Sequence, residues 1–531
     1  MSAVAISDGA GGAIIAWAYT SGDGGDIYAQ RIDGSGNLLW TAAGVPLCTA
    51  VDWQSDPTIL SDNAGGAIVA WSDLRDGVSD IYAQRVDGAG AVQWTADGVA
   101  VSTAASNQYF PQMTTDGANG ALVVWWDYRP LAPPNSGPNL FGTRLTSAGL
   151  VVDGAATGIA MAVAPNAQQH PVLVPKGIGG AIIAWGDYRN NMTTGGDIYA
   201  IRTNNFFAPI DVVALAICQS AGTQDRPAII SDGAGGAIIA WPDNRVASGI
   251  YAQRMASNGV VQWTANGVQL GFNPAPVLHP PQMLPDGAGG VIASWWAGNS
   301  PDENIYAQRL NASGVRQWLP NDVVVCDASN EQRYPSIAPD NAGGMVVSWQ
   351  DRRSGVLNDD VYAQRINASG VTQWTGNGVL VSGADLIQEV PALASDGAGG
   401  VIVAWTDWRA GLVETEKKIY AQRVWADGQV PTAIGDTPSA ATLSLMVHPN
   451  PFSKSTALQF QLHTTSDVSV DVYDVAGRRV RGVTIRDVPA GAHRIAVDDR
   501  DDDGRVLPSG VYFCRVTAAG VSETKKLIVL R

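Results

Sequence analysis

The sequence has few cysteines, few basic residues and no long hydrophobic run, and each shortage excludes a class of protein. Four cysteines in 531 residues are too few for a disulfide-rich secreted scaffold. No apolar run approaches the ~18 residues of a membrane-spanning helix, so we expect no transmembrane segment. Basic residues number 33 against 49 acidic ones, and the net charge of −16 leaves no footprint for nucleic acid.

Catalytic and metal-binding motifs are also scarce. The five histidines are scattered, and the chain contains no H-E-x-x-H, G-x-S-x-G or P-loop pattern. We therefore expect no cofactor. Glycoside hydrolysis needs only two well-placed carboxylates, and these carry no sequence motif of their own. The sequence favours a non-catalytic protein but leaves a hydrolase open.

Glycine and internal repetition are what the chain has in abundance. The phrase "SDGAGGAIIAW" at 231–241 recurs with small changes at 61–71, 285–295 and 395–405. A tryptophan closes eight such phrases, and consecutive copies lie 54 to 60 residues apart. These are Trp17, Trp71, Trp125, Trp185, Trp241, Trp295, Trp349 and Trp405. A fixed period of this length indicates a repeat architecture.

Each repeat contains four strand-like segments separated by glycine-rich turns, as in "DPTILSD", "AIVAW", "DIYAQRV" and "VQWTADGVAVS". The first and last repeats are as apolar as the inner ones, whereas an open stack needs polar caps. The sequence therefore predicts an all-β fold in which residues 1–430 form an eight-bladed β-propeller of four-stranded blades. The order of "P-x-x-x-S-D-G", "I-x-x-W" and "D-I-Y" also resembles the blades of TolB-like and WD40-like propellers.

A different segment follows the repeats. The stretch 431–442, rich in Pro, Ala and Thr, reads as a linker. Short alternating strands over 443–531 predict an Ig-like β-sandwich. This segment also differs in charge, since residues from Ala441 onward carry 12 basic and 10 acidic side chains against 21 and 39 before them.

Four stretches of this segment, "HPNPF" at 448–452, "VDVYDVAGRRVR" at 470–481, "LPSGVYFCRV" at 507–516 and the terminal "KKLIVLR", resemble two related families. One is the C-terminal sorting domain of type IX secretion cargo, and the other is the Ig-like domain of flagellar hook-capping proteins. The resemblance implies a bacterial protein that is secreted or held at the cell surface, with the secretion machinery as a partner of this domain. The start "MSAVAISDGA" has no signal peptide and opens within the repeated phrase, so we expect a trimmed leader or a fragment.

Elements shared by most repeats are expected to be structural. Trp-x-Asp-x-Arg follows the second strand of six repeats, and an arginine closes the third strand of all eight, from Arg31 to Arg423. One active site does not need six copies, so we expect stabilising loop contacts. Cys48, Cys218 and Cys326 occupy matching fourth-strand positions on non-adjacent blades, and Cys514 lies in the other domain. All four should be free, buried thiols.

The segment "DDRDDDG" at 498–504 places Asp499, Asp501 and Asp503 at the alternate spacing of a calcium loop. Gly510 stands where such a loop needs a bidentate Glu, so a solvated hairpin turn is the favoured interpretation.

Function should lie where the repetition breaks, on the face that carries the variable loops. The sixth repeat departs most from the pattern. The segment that leads into it, "GFNPAPVLHPPQ", has Leu278 in place of a recurrent Gln. Its loop "WWAGNSPDENIY" lacks the Trp-x-Asp-x-Arg element. Aromatic rings beside polar groups suit sugars or peptide side chains. The predicted ligand-binding residues are Trp296, His279, Asn299, Asp302 and Glu303, together with Trp126 and Tyr128 of the third repeat.

The sequence thus predicts an exported surface protein. Its propeller would bind a glycan or protein ligand without catalysis, and its C-terminal domain would serve secretion or anchoring. Two alternatives remain: an extracellular polysaccharide-degrading hydrolase or lyase, and a structural component of a surface assembly.

Overall fold

The chain was studied as a computed structural model. It describes residues 3–21, 24–130, 137–154, 157–272, 279–355, 357–409, 417–430, 446–448, 450, 452–462, 466–475, 477–488, 491–518 and 521–530. These residues form strands and turns with no α-helix, and none of them belongs to a helix that could cross a membrane. The chain divides into two compact units, Met1–Gly435 and Asp436–Arg531. The expected linker at 431–442 lies outside the described residues.

The first unit is an eight-bladed propeller, one blade for each repeat. Within a blade the strands pair antiparallel in chain order. The strands of blades 1 to 4 are β1 (Ala3–Ser7), β2 (Ala13–Ser21), β3 (Gly24–Ile32) and β4 (Val45–Cys48); β5 (Asp52–Ser61), β6 (Ala67–Asp73), β7 (Asp80–Val86) and β8 (Val99–Ser102); β9 (Gln108–Thr115), β10 (Ala121–Asp127), β11 (Asn139–Leu145) and β12 (Ile159–Ala162); β13 (Gln168–Pro175), β14 (Ala181–Asp187), β15 (Asp197–Arg202) and β16 (Leu215–Cys218).

Blades 5 to 7 repeat the four-stranded pattern, and blade 8 has three strands in the part that the structure describes. Their strands are β17 (Ala228–Ser231), β18 (Ala237–Asp243), β19 (Gly249–Met255) and β20 (Val268–Phe272); β21 (Gln282–Pro285), β22 (Val291–Asn299), β23 (Asp302–Leu310) and β24 (Val323–Cys326); β25 (Gln332–Pro339), β26 (Met345–Asp351), β27 (Asp360–Ile366) and β28 (Val379–Ser382); β29 (Gln388–Ser395), β30 (Val401–Asp407) and β31 (Lys418–Val424). Blades 1 and 2 are also joined by a short parallel pairing of β3 with β5.

The second strand of each blade is an unbroken apolar run because both of its faces are covered. Every residue of β6, for example, is buried between the sheets of the neighbouring blades. Eight apolar clusters lie between successive blades. The last of them packs Ala13 and Ile15 of blade 1 against Ile402 of blade 8. The ring is therefore closed.

The repeated phrase forms a clamp between blades. Asp62 Oδ1 accepts hydrogen bonds from the backbone N–H groups of Ala64 and Gly66, each at 2.8 Å, and so caps the glycine-rich turn. A Cβ on Gly66 would collide with a backbone carbonyl oxygen, so glycine is required there. Asp62 Oδ2 pairs with Arg85 Nη2 at 2.9 Å, and Arg85 Nη1 donates to the carbonyl of Ser147 on the next blade at 3.2 Å. The expectation that the recurrent arginine is structural is confirmed.

The same arginine–aspartate pair recurs in seven blades: Arg31–Asp8, Arg85–Asp62, Arg144–Asp116, Arg254–Asp232, Arg309–Asp286, Arg365–Asp340 and Arg423–Asp396. In blade 8, Arg423 also donates to the carbonyl of Gly34 on blade 1, which fastens the closure. Blade 4 departs from the pattern, since Arg202 pairs with Asp211 instead.

The second unit is an Ig-like β-sandwich. One sheet contains β32 (Met446–His448), β33 (Ser455–Leu462) and β36 (Gly491–Asp498), and the other β35 (Arg479–Val488), β34 (Ser466–Tyr473), β37 (Gly510–Ala518) and β38 (Val521–Val529). Asn450 of "HPNPF" binds the last strand by donating to Lys526 O at 2.7 Å and accepting from Ile528 N at 2.8 Å. The hydroxyl of Tyr512 donates to Pro508 O at 3.0 Å. Both motifs therefore stabilise the sandwich.

Candidate ligand-binding site

Near the start of the first strand, six blades have a residue that has a left-handed backbone and stands directly before a proline. The φ values are 48° to 54° at Asp56, Phe110, His170, Arg226, Tyr334 and Val390. In five of these blades the pairing with the second strand shifts register at this point, as in a β-bulge. A left-handed backbone is unfavourable for aromatic and β-branched residues. We call these six positions the pre-proline ring; in blade 6 the pairing of Gln282 with Ser294 places Pro280 at the equivalent position.

In blade 6 the residue before Pro280, His279, takes part in an aromatic cluster. The imidazole of His279 stacks on the indole of Trp296, with ring centroids 4.2 Å apart and planes 24° apart. Tyr334, the ring residue of blade 7, lies 5.2 Å from the same indole. We call His279, Trp296 and Tyr334 the blade 6 cluster. Trp296 also packs against the apolar core between blades 6 and 7, which fixes its position.

Two members of the blade 6 cluster, Trp296 and Tyr334, line a cavity of about 480 Å³, whereas His279 stacks behind Trp296 and is not among the lining residues. The walls of the cavity are mainly the first strands of blades 1, 2, 6, 7 and 8, with Trp296 and Tyr334 at one side. Polar groups are supplied by Thr58, Gln282 and Ser336, and no charged side chain of the described residues lines it. An apolar, partly aromatic wall with a few polar groups is typical of a small-molecule or carbohydrate site.

The acidic and amide candidates of blade 6 lie beside the cavity wall and not in it. Asn299 pairs with Asp302 at the tip of the β22–β23 hairpin. Glu303 forms an ion pair with Arg333, and Arg333 Nη2 also pairs with Glu331 at 2.9 Å. The side-chain hydrogen bond to Glu303 is the main cause of the raised pKa of Arg333. Glu303 is therefore committed to an ion pair and is not a free polar contact.

The ion pair between Glu303 and Arg333 is part of a larger network of charged side chains. Arg352 joins Glu331 to Asp359, with Arg352 Nε and Asp359 Oδ1 2.8 Å apart. Ser300 Oγ donates to Glu331 Oε1 at 2.9 Å. The network holds the β22–β23 hairpin against blade 7. It thereby stabilises β22, the strand that carries Trp296.

A second aromatic cluster is built at blade 3 around the tryptophan equivalent to Trp296. Trp126 directly follows the buried Trp125, as Trp296 follows Trp295. Its indole lies 4.8 Å from the ring of Phe110 and 4.9 Å from the ring of His170, both edge to face. We call Phe110, Trp126 and His170 the blade 3 cluster.

Tyr128, the other blade 3 candidate, lies beside this cluster, with its ring 6.0 Å from that of Tyr109. Sequence analysis missed His170 and its partner Asp225, whose Oδ1 lies 3.0 Å from His170 Nδ1. Asp225 also hydrogen-bonds Tyr188, and burial and the nearby carboxylate raise the pKa of Tyr188 to about 12. A comparison of the residue before each proline across the repeats would have identified His170.

His279 is kept neutral more readily than a free imidazole. Burial lowers its pKa, and the positive charges of Arg226 and Arg333 lower it further, while Glu303 acts in the opposite direction. A neutral ring can stack on Trp296 and still offer one donor and one acceptor. Arg226, the ring residue of blade 5, lies between the two clusters in ring order, and its side chain is 46% exposed.

The Trp-x-Asp-x-Arg elements are structural, as expected. In blade 2 the buried Asp73 accepts from Trp71 Nε1 at 2.8 Å and pairs with Arg75 Nη2 at 2.6 Å. The guanidinium covers the ring of Tyr82 at 3.8 Å and donates to Asp97 O at 2.8 Å. The indole-to-aspartate bond recurs in all six blades that carry the element.

Blade 6 lacks the Trp-x-Asp-x-Arg element, so its buried tryptophan has no aspartate acceptor. Trp295 is fully buried, and within the described residues its Nε1 finds no acceptor. Leu278, the other sequence departure of this blade, lies outside the described residues.

All four cysteines are free and buried. Burial raises the pKa of each thiol to about 12. The Sγ atoms of Cys48, Cys218 and Cys326 accept hydrogen bonds from the arginine of the next blade at 3.1 to 3.2 Å. They are packing residues.

The calcium-loop candidates form a hairpin turn. Asp501 Oδ1 accepts from the backbone N–H groups of Asp503 and Arg505 at 3.0 and 2.8 Å, and Asp503 pairs with the Arg505 side chain at 3.0 Å. Asp499 donates its backbone N–H to Lys454 O. Among the described residues no group of three or more acidic, His or Cys side chains converges on a metal position.

A comparison with known families matches part of the second unit. The FlgD Ig-like domain matches residues 450–521, which lie within the second unit. No curated protein matches the chain.

Several solved structures match this chain at low similarity. A protein of unknown function from Dyadobacter fermentans is 10% identical, with 70% of this chain and 94% of that chain covered and a TM-score of 0.37. A puromycin hydrolase mutant is also 10% identical, with 87% and 58% covered and a TM-score of 0.40. An α-L-arabinanase from Penicillium chrysogenum, complexed with arabinobiose, is 13% identical, with 60% and 94% covered and a TM-score of 0.34.

Proposed function

We propose that the protein is an exported bacterial surface protein whose propeller binds a glycan without cleaving it. The observation that carries this proposal is the cavity of about 480 Å³ bordered by Trp296 and Tyr334. Sugar rings present apolar C–H faces that pack on aromatic rings, and their hydroxyls need donors and acceptors such as Gln282 and Ser336.

The composition of the cavity supports binding over hydrolysis. Glycosidases place two carboxyl groups on either side of the bond to be cleaved. The described residues that line the cavity include no Asp or Glu, and the adjacent Glu303 is held in an ion pair with Arg333. A purely structural role in a surface assembly is less well supported. A flat surface would suffice for assembly, whereas the surface beside Trp296 and Tyr334 contains a cavity.

The test is a glycan array probed with the full chain and with two variants. Trp296→Ala should weaken binding by roughly 1–3 kcal/mol, the range for an aromatic hot spot. Trp53→Ala is the matched control, because Trp53 is an exposed tryptophan of blade 2 that does not line the cavity. Equal binding by wild type and Trp296→Ala, or release of reducing ends from a bound polysaccharide, would contradict the proposal.

We further propose that the Ig-like unit serves secretion or anchoring as a type IX sorting domain. Support comes from the motifs "HPNPF", "VDVYDVAGRRVR" and "LPSGVYFCRV" and from the compactness of residues 436–531. In the native host, with a leader present, deletion of this unit should leave the propeller in the periplasm. Normal surface delivery of the truncated protein would refute the sorting role.

A further inference from the structure

The two aromatic clusters are closely similar. Each consists of a tryptophan that directly follows the buried tryptophan of the second strand, an aromatic ring one or two residues before the strand proline of the same blade, and the ring residue of the next blade. Phe110, Trp126 and His170 fill these positions at blade 3, and His279, Trp296 and Tyr334 fill them at blade 6.

No other blade has the central tryptophan. The equivalent residues are Ala18, Ser72, Gly186, Pro242, Gln350 and Thr406. The pre-proline ring is variable, since its six positions hold six residue types. The proline after each ring position and the glutamine two residues before it recur, by contrast, in all six of these blades.

The ring positions hold side chains under backbone strain. Left-handed non-glycine residues cost about 1–3 kcal/mol each and persist when the surrounding structure enforces them, often at functional sites. The strain is imposed on Phe110, His170 and Tyr334, whose rings then meet the two tryptophans. At these three positions the bulge directs the side chain towards an aromatic cluster.

The rings remain accessible after packing. Phe110 is 41% exposed and Tyr334 is 39% exposed. Between the clusters in ring order stands Arg226, whose side chain is 46% exposed and lies 4.0 Å from Asp225. An arc of ring positions therefore runs from blade 3 to blade 7, with an aromatic cluster at each end.

Resting on the proposed function, we propose that the blade 3 and blade 6 clusters are two subsites that hold a single extended glycan chain. Each subsite stacks a sugar unit on its exposed rings, and the units between them pass Arg226. Both subsites are fixed on one rigid ring, so occupation of the first raises the effective concentration of sugar at the second. Oligosaccharides too short to span the arc can occupy only one subsite at a time.

The experiment measures chain-length dependence with the full chain. Unbranched cello-, xylo-, manno- and arabino-oligosaccharides of about two to about ten units are titrated by calorimetry, since effective concentration depends on span. We expect affinity in at least one series to rise by about 10-fold or more above a threshold length. A flat length dependence in every series, or no binding by any of them, would overturn the proposal.

Variants assign the two subsites. Phe110→Gly and Tyr334→Gly each remove one ring and relax a left-handed backbone, so folding is preserved. Each should lower the affinity for long chains towards that for short ones, and the two changes together should remove the length dependence. Asp56→Gly is the matched control, because Asp56 has the same backbone strain and belongs to neither cluster.

The outcomes also separate this proposal from the proposed function. Loss of binding in Trp296→Ala with no effect of Trp126→Ala or Phe110→Gly on long chains would leave a single glycan site and refute the second subsite. Failure of every glycan on the array would refute both.

Discussion

Removal of one aspartate from a Trp-x-Asp-x-Arg element should destabilise the propeller by an amount that the structure allows us to calculate. In Asp73→Ala, the fully buried indole N–H of Trp71 loses its acceptor. Arg75, whose side chain is 17% exposed, loses two side-chain bonds and one backbone N–H bond to the carboxylate. An unsatisfied buried donor costs about 1–3 kcal/mol, and a broken buried ion pair costs about 3–5 kcal/mol.

The net loss should be about 3 kcal/mol, because Arg75 is partly hydrated and keeps its bond to Asp97 O at 2.8 Å. A cooperative unit of 435 residues has an unfolding entropy of about 0.9 kcal/mol/K at ~2.1 cal/mol/K per residue. The midpoint of thermal unfolding should therefore fall by about 3 °C. Differential scanning calorimetry of the full chain can resolve this shift.

Two further variants make the result interpretable. Asp73→Asn keeps a neutral acceptor for part of the network and should lose less stability than Asp73→Ala. Asp76→Ala, three residues away on an exposed loop position, should leave the midpoint unchanged. If Asp73→Ala unfolds within about 1 °C of the wild type, a value well below the expected shift, the stabilising role assigned to this element is wrong.

Three other predictions follow from the packing. Ellman's reagent should find four thiols per chain in denaturant and almost none in the native protein at pH 8, because burial raises each thiol pKa to about 12; fewer than four in denaturant would show a disulfide. Arg423→Ala should lower the unfolding midpoint more than Arg309→Ala, since blades 8 and 1 are not consecutive in the chain, and calorimetry showing the reverse order would contradict the closure role. Because the pKa of His279 is lowered in the native state, the unfolded chain binds a proton at this residue more readily than the native protein does. As the pH falls through the ordinary pKa of 6.5, the wild type should therefore lose stability relative to a His279→Gln variant. Urea unfolding at pH 7.5 and 5.5 with no difference between the two proteins would refute this prediction.

The sequence was sufficient to predict the propeller because the same physical problem is solved in every repeat. Each blade must cap a tight turn and bury both faces of its second strand. Asp62, Gly66 and Arg85 meet those demands by local contacts, and their spacing is therefore visible along the chain. The Ig-like unit was predicted for a similar reason, since Asn450 and Tyr512 lie in short motifs that fix its strands.

The candidate site was only partly visible in the sequence. Trp296 and His279 stood out because blade 6 breaks the pattern, and the structure places their rings 4.2 Å apart. The commitment of Glu303 to Arg333 was not visible, because that pair joins residues of different blades. His170 and Asp225 were missed for the same reason, since 55 residues separate two groups that lie 3.0 Å apart.

The sequence by itself thus determined the strands, the number of blades and the clamps that repeat, because these depend on contacts at fixed short spacings. Only the tertiary structure decided which of the non-repeating side chains face one another. Packing of consecutive blades brings the start of each blade beside the second strand of the blade before it, so Trp126 meets His170 and Trp296 meets Tyr334. A periodic pattern records what every blade shares, whereas a binding site depends on differences between blades that become neighbours only when the ring has formed.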